Sequence, residues 1–394
     1  VGPATGRSRL VVVSAIGVAQ ILAWGSSYYL LAVLAGPVVA DTGWPLTWLM
    51  GALSSGMLVS GLASPRVGHL IDRHGGRPVL ATSAILFSAG LLLLGLAPGL
   101  PVFVLAWVVL GLAMGAGLYD PAFSTLGRLY GEHARPAITH VTLFGGFAST
   151  VCWPLSALLV DHLGWRGACL TYAAIHVVVV LPLYLFGVPR EEAKPSPAPK
   201  AAAAAGQVQA NQRYAFIVLA AGFTLAAIIM TVLSVHLLTL LQTQGLALAT
   251  AVALGTLIGP AQVGARVLEM FFGRKAHPIW SLVASAVLVA VGLGMLVGAP
   301  GVAAAGIVMY GMGSGIRSIA RGTVPLALFG KEGYAVLMGK IAMPTLIAQA
   351  ASPFLGAWLL DGFGASTTLA VLCGAAVLNI LMVLALVPVA LRHQ

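Results

Sequence analysis

Apolar stretches long enough to cross a bilayer follow one another along almost the whole of this chain. Twelve can be counted, at approximately 10–38, 46–71, 78–98, 101–130, 136–162, 165–187, 214–243, 247–273, 277–298, 301–329, 334–361 and 364–390. A membrane-spanning helix needs about 20 such residues. Several of these runs exceed about 25 residues and must tilt or protrude. Of 394 residues, 59% are hydrophobic and 8% charged, against roughly 25% charged in a soluble domain. No soluble core could bury this much apolar surface, so the solvent is lipid. The expected fold is an all-α membrane protein of twelve transmembrane helices. The 48 glycines suit helices that pack closely in a bilayer.

The formal charge of +10 raises nucleic acid as a partner. The basic residues argue against it, because they sit at the ends of spans and not on an aromatic-interleaved surface. Arg7, Arg9, Arg73, Arg77, Arg135, Arg190, Lys194, Lys200, Arg213, Arg274, Lys275, Lys331 and Arg392 fall on or near one side; the other keeps essentially Arg166. The positive-inside rule then places both termini in the cytoplasm of a plasma (inner) membrane protein. Asp41, Asp161 and Asp361 mark outer ends. Arg7 and Arg9 before an apolar run imitate a signal peptide, but the run extends far past a signal h-region and reads as the first span. Cys152, Cys169 and Cys373 lie singly inside apolar runs. They read as packing residues, with no disulfide framework and no metal site.

One long polar interruption, 188–212, holds Pro189, Arg190, Glu191, Glu192, Lys194, Pro195 and Pro197. It divides the chain into an amino-terminal six-helix bundle (1–187), a cytoplasmic linker (188–213) and a carboxy-terminal six-helix bundle (214–394). The halves echo each other. Residues 64–78 contain Gly68, Asp72, Arg73, Gly75 and Arg77; residues 264–278 keep Arg266, Val267 and Pro278 at matching places, and a basic pair, Arg274 and Lys275. Pro154 to Asp161 and Gly164 resemble Pro353 to Asp361 and Gly364. Gly111 and Gly115 match Gly311 and Gly315, and Gly131 matches Gly330. A near-constant offset of about 200 marks a doubled membrane protein, which is how many secondary transporters are built.

Twelve spans, a central linker and the 68–77 string together resemble the major facilitator superfamily over essentially the whole chain. The string is similar to that family's loop 2–3 signature, and Gly164-Trp165-Arg166 to a common feature after span five. The resemblance implies two pseudo-symmetric bundles, alternating access, and a central cavity lined by spans one, four, seven and ten. It also implies that the loop 2–3 cluster latches the halves when the inside is closed. Two departures bear on substrate. Proton-driven drug exporters usually carry an arginine four residues before a span-four glycine; before Gly111 this chain has Trp107. The glycine-proline-glycine-glycine pattern of exporter span five is largely missing around Pro154. The chain leans toward carriers similar to organic-anion and monocarboxylate transporters.

The loop 2–3 string has a mechanical reading. Gly68 admits a close helix, Asp72 accepts backbone N–H groups from a helix N-terminus, and Arg73 and Arg77 pair with it or with lipid phosphates. The plainer alternative is topology alone. Arg266 and Glu269, three apart in span eight, can pair within the helix and act as gate residues. An ionisable residue at membrane depth costs several kcal/mol unless paired or wet, which singles out five more positions. Asp120, followed by Pro121 in span four, is the expected proton carrier, or alternatively one half of an ion pair. Arg317 and Arg321 share a face of span ten at i and i+4 and are expected to anchor an anion opposite Asp120. His236 in span seven is a second proton-coupling candidate, and Lys340 in span eleven a further anion contact. Gln20, Trp24 and Tyr28 draw one stripe along span one beside Gly25-Ser26-Ser27, where a bend is expected; with Tyr119 they are expected to shape a substrate pocket.

No nucleophile–base set, phosphate-cradling loop or zinc cluster is legible, so no enzyme activity and no cofactor are expected. The expected function is a proton-coupled symporter of a small carboxylate-like anion, acting as a monomer. The alternatives are a proton-driven exporter of amphipathic drugs or metabolites, and a non-transporting receptor or scaffold on the same fold.

Overall fold

The computed structural model describes residues 8–191, 210–273, 276–298 and 300–392, and there is no strand among them. Residues 192–209 of the expected linker, with Lys194 and Lys200, lie outside the described residues, as do Arg7 and the pair Arg274 and Lys275.

The protein is an all-α membrane protein of twelve spans. Among the described residues, seven helical stretches are long and apolar enough to cross a bilayer, and two of these, Leu100–Gly187 and Tyr334–Leu391, each hold more than one span. Span one is shared by two shorter helices, Arg9–Gly25 and Leu31–Thr42. Spans two and three are Leu46–His74 and Gly76–Gly95. Span four is Leu100–Gly117 with Tyr119–Tyr130. Span five is Arg135–Gly146 continued into Ala148–Ile175, and span six follows the kink at Gly164. Span seven, Ala210–Thr243, begins inside the expected linker. Span eight is Leu248–Gly255 with Ile258–Phe272, span nine Pro278–Gly298 and span ten Ala303–Phe329. Spans eleven and twelve share Tyr334–Leu391.

The chain forms two compact units, Val1–Ser196 with Lys331–Met343, and Pro197–Gly330 with Pro344–Gln394. The start of span eleven joins the first unit through small residues. A Cβ on Gly68 would strike the Ala335 backbone, and one on Gly339 the backbone of Ser64 and Pro65.

Both units repeat one packing scheme. In the first, span four meets span two where Gly111 lies on Gly56 and Gly115 on Ser60, too close for a side chain. In the second, span ten meets span eight where Gly311 lies on Ile258 and Ala261, and Gly315 on Gln262. Where lipid removes most of the hydrophobic drive, helices associate through such close backbone approach. Spans five and six are separated by a left-handed glycine, Gly164 (φ 69°, ψ 172°), and spans eleven and twelve by its counterpart Gly364 (φ 78°, ψ 171°). The large buried side chains fill each unit separately: Phe87, Phe103, Trp107 and Tyr172 in the first, Ile229, Leu293, Tyr310 and Leu369 in the second. Cys152, Cys169 and Cys373 are free thiols.

Two breaks in the first unit shape its polar interior. Span one loses helical form across 26–30, beside the expected Gly25-Ser26-Ser27 bend. There Ser26 Oγ lies 2.7 Å from Nε2 of His176, a buried histidine that opens a π-helical turn of span six and stacks on Phe87. Span four is interrupted at Leu118, which is extended (φ −82°, ψ −158°). Pro121 has no N–H, so the carbonyl of Gly117 has no donor from its own helix. Gln20 Nε2 supplies one from span one, at 2.6 Å.

Candidate transport and gating sites

In the first unit the expected pocket residues gather at the two helix breaks. Trp24 packs against Tyr28 (centroids 5.6 Å apart), Tyr29 (5.9 Å) and Tyr119 (5.0 Å). Tyr29 meets Trp153 of span five, and Tyr119 stacks on Phe123. Trp24, Tyr28, Tyr29 and Tyr119 are half-buried and Trp153 is exposed. Gln20 lies beneath them, fully buried and committed to the Gly117 carbonyl. Its role is to join spans one and four, not to line an open surface.

Asp120 lies in the first turn of Tyr119–Tyr130, half-buried. It lines a small recess with Ser64, Gly68, Ile71, Ser124 and Gly339. The carboxylate therefore lies beside the first residues of the loop 2–3 string and within electrostatic reach of Tyr334. Asp72 is half-buried, Arg77 half-buried and Arg73 exposed. Lys340 is exposed.

The basic residue that grips the loop 2–3 string is Arg128, in the last turn of span four. Its Nε donates to Glu191 Oε1 at 2.8 Å, and its Nη1 to the carbonyls of Ile71 (3.2 Å) and Asp72. Glu191 in turn accepts from the backbone N–H of Gly76 at 3.2 Å. Both side chains are nearly buried, 11% and 13% exposed. One carboxylate thus ties the N-terminus of span three, where helix-end N–H groups favour negative charge, to the C-terminal end of span four.

In the second unit Arg317 is 6% exposed. It is enclosed with Val218, Gly222, Phe223, Leu282, Asn379 and Val383, from spans seven, nine and twelve, around a crevice too narrow to admit a water molecule. Its Nη1 donates to Asn379 Oδ1 at 3.4 Å, and Asn379 Nδ2 donates to the Gly222 carbonyl at 2.7 Å. Arg317 Nε has no hydrogen-bond partner among the described residues. Arg321, one turn on, is half-buried. Arg266 is also buried; its Nε donates to Ser318 Oγ at 3.0 Å, pinning span eight to span ten. Glu269 accepts from Ser281 Oγ at 2.5 Å, which reaches to span nine. His236 Nε2 is 3.0 Å from the Pro353 carbonyl. A carbonyl only accepts, so this nitrogen carries the proton. No group of three or more His, Cys, Asp or Glu residues that could hold a metal occurs among the described residues.

The sequence profile of the major facilitator superfamily matches residues 16–320. The chain belongs to the major facilitator superfamily. Among curated members, human monocarboxylate transporter 11 is 28% identical over 362 residues, covering 86% of this chain and 73% of that one. The mouse protein of the same name is likewise 28% identical over 365 residues, with 86% and 77% covered. Among solved structures, the human organic anion transporter MFSD10 superposes with a TM-score of 0.80 at 15% identity, covering 96% of this chain and all (100%) of that one. FucP in its outward conformation gives 0.73 at 14%, with 96% and 99% covered. At such identities the structures establish the superfamily fold alone. Membership makes the protein a multi-pass integral membrane transporter, and superfamily transporters bind small-molecule substrates.

Within that superfamily frame, sequence reasoning missed Arg128 and Glu191. The available signal was an acidic residue directly after span six, where the positive-inside rule leads one to expect only basic ones. It also missed Asn379, a lone amide inside the last span, and Trp153.

Proposed function

We propose that this transporter is a proton-coupled symporter for a small organic anion bearing a carboxylate. It works by alternating access as a monomer in the plasma (inner) membrane, with both termini cytoplasmic. The observation that carries the reading is Arg317. A guanidinium this deeply buried is costly without a counter-charge. Among the described residues its one side-chain hydrogen-bond partner, Asn379, is neutral, and its Nε has none. An anion supplies what is missing, and a carboxylate matches the planar fork of an arginine. The names of relatives support the same class, monocarboxylate transporter 11 at 28% identity and the organic anion transporter MFSD10 by fold. Asp120 is the proton site in this reading. Protonation there acts on the tight seam of Gly68 and Gly339 that borders the same recess.

Uptake of labelled carboxylates into proteoliposomes tests the anchor. Arg317→Ala should abolish uptake while the protein keeps its thermal stability in detergent; undiminished uptake would reject the reading. Asp120→Asn should lose accumulation driven by a pH gradient yet retain exchange. Full gradient-driven accumulation in that variant would remove proton coupling from the proposal. An absence of any flux from the parent protein, with folding intact, would favour a receptor or scaffold.

A further inference from the structure

The second unit carries one buried amide whose two hydrogen bonds are unequal. Asn379 lies midway between Gly364 and Leu391 in span twelve and is buried. A carbonyl only accepts, so the atom 2.7 Å from the Gly222 carbonyl is the amide nitrogen, and Oδ1 is left to face Arg317. The side chain therefore donates to span seven and accepts from span ten. The bond to Gly222 is short, whereas the 3.4 Å from Arg317 Nη1 to Oδ1 lies beyond the about 2.7–3.2 Å of an ordinary N–H···O bond. A buried cation is thus held by a long, uncharged contact, although its strong bonds are those made to an ionised acceptor. Glue between helices accounts for the Gly222 bond; it does not account for that choice. The crevice around the fork is too narrow for water. A carboxylate reaches Arg317 only in exchange for a group already there, and among the described residues Asn379 Oδ1 is its one side-chain hydrogen-bond partner.

We infer that Asn379 is the positioning residue of the anion site: it holds the Arg317 fork by a neutral oxygen, and the transported carboxylate takes that oxygen's place. This rests on the anion reading above and adds which group the anion displaces. In the exchange Arg317 gives up one weak neutral acceptor and gains a charged one that matches its planar fork. Span twelve is then released from span ten while it keeps its bond to span seven.

The test compares two variants of nearly equal size in the full chain. Asn379→Leu removes both bonds and adds no charge. Asn379→Asp keeps the acceptor but gives Arg317 a permanent counter-charge that competes with the anion. Labelled acetate, lactate, succinate and benzoate are offered to proteoliposomes, and the acid with the highest parent flux is used throughout. Its KM should be at least about five-fold higher in Asn379→Asp than in Asn379→Leu, the difference between a charged and a neutral acceptor. Without acid, Asn379→Asp should melt above Asn379→Leu, and the acid should raise the melting temperature of the leucine variant but not of the aspartate one. Glue alone moves both melting temperatures and leaves the KM values alike. A KM ratio below five-fold, or an aspartate variant that melts below the leucine one, overturns the exchange; if Arg317→Ala still abolishes uptake, the anion reading stands. Undiminished uptake in Arg317→Ala, or no uptake of any acid by folded parent protein, overturns both.

Discussion

Spans four and ten are counterparts in the internal duplication, and their backbones are packed alike. Gly111 and Gly115 lie against span two as Gly311 and Gly315 lie against span eight. Their polar chemistry is opposite. In the first unit a glycine occupies position 117 of span four and a glutamine reaches to it from span one. In the second, Arg317 holds the equivalent place in span ten, and Gly222 of span seven stands near the place of Gln20. Each unit therefore has one long polar side chain at this level, on span one reaching a span-four carbonyl in the first and on span ten reaching the Asn379 amide of span twelve in the second. Only the second has a charge. The comparison separates what duplication preserves, the closeness of helix backbones, from what is free to diverge, the side chain placed in the gap.

Exchanging that chemistry gives the largest expected effect. Arg317→Gln makes the second unit as neutral as the first, and carboxylate uptake should drop by at least about a hundred-fold, equivalent to about 2.8 kcal/mol. Proteoliposome flux measures it, and a drop of less than about three-fold would make the arginine a packing residue. Next is Glu191→Ala, which takes the Glu191 carboxylate from Arg128 in a nearly closed site; one partner of a buried pair removed costs up to about 3–5 kcal/mol, discounted here to about 2–3 for the residual exposure. Thermal unfolding in detergent checks it, and Glu191→Gln should recover part of the loss by still accepting from Gly76.

Gly111→Leu and Gly311→Leu test whether the shared packing is equally tight in both units. Each should lose about 1–3 kcal/mol from overpacking, and a loss in only one would break the equivalence. The smallest effect belongs to the Gln20–Gly117 bond, expected at about 0.6–1.7 kcal/mol in a membrane interior. Pro121→Ala returns an N–H to span four, so Gln20→Ala should then cost almost nothing. A double-mutant cycle on melting temperature reads the coupling; additive losses would mean the proline does not leave that carbonyl unpaired.

The twelve spans were legible because lipid imposes a length on every apolar run, and the doubling was legible because glycines at close contacts recur at one offset. Gly68 and Gly164 could be assigned roles for the same reason: a missing side chain has few explanations. The polar partnerships were not legible. Gln20 finds its acceptor 97 residues away and Arg128 its carboxylate 63 residues away. The facing of Arg317 toward Asn379 depends on how spans seven, nine and twelve close around it. A helical wheel tells which residues share a stripe; it does not tell which neighbour that stripe meets. Glu191 read as linker because it follows a proline and an arginine, yet it is the hub of three elements.

A carbonyl released by Pro121 and taken up by Gln20 has one further consequence. Span four and span one share one hydrogen bond at their two breaks, and span one cannot rotate about its own break without leaving that buried oxygen unpaired. The two helices are geared: the teeth are a single amide and a single peptide group, and whatever turns one must turn the other.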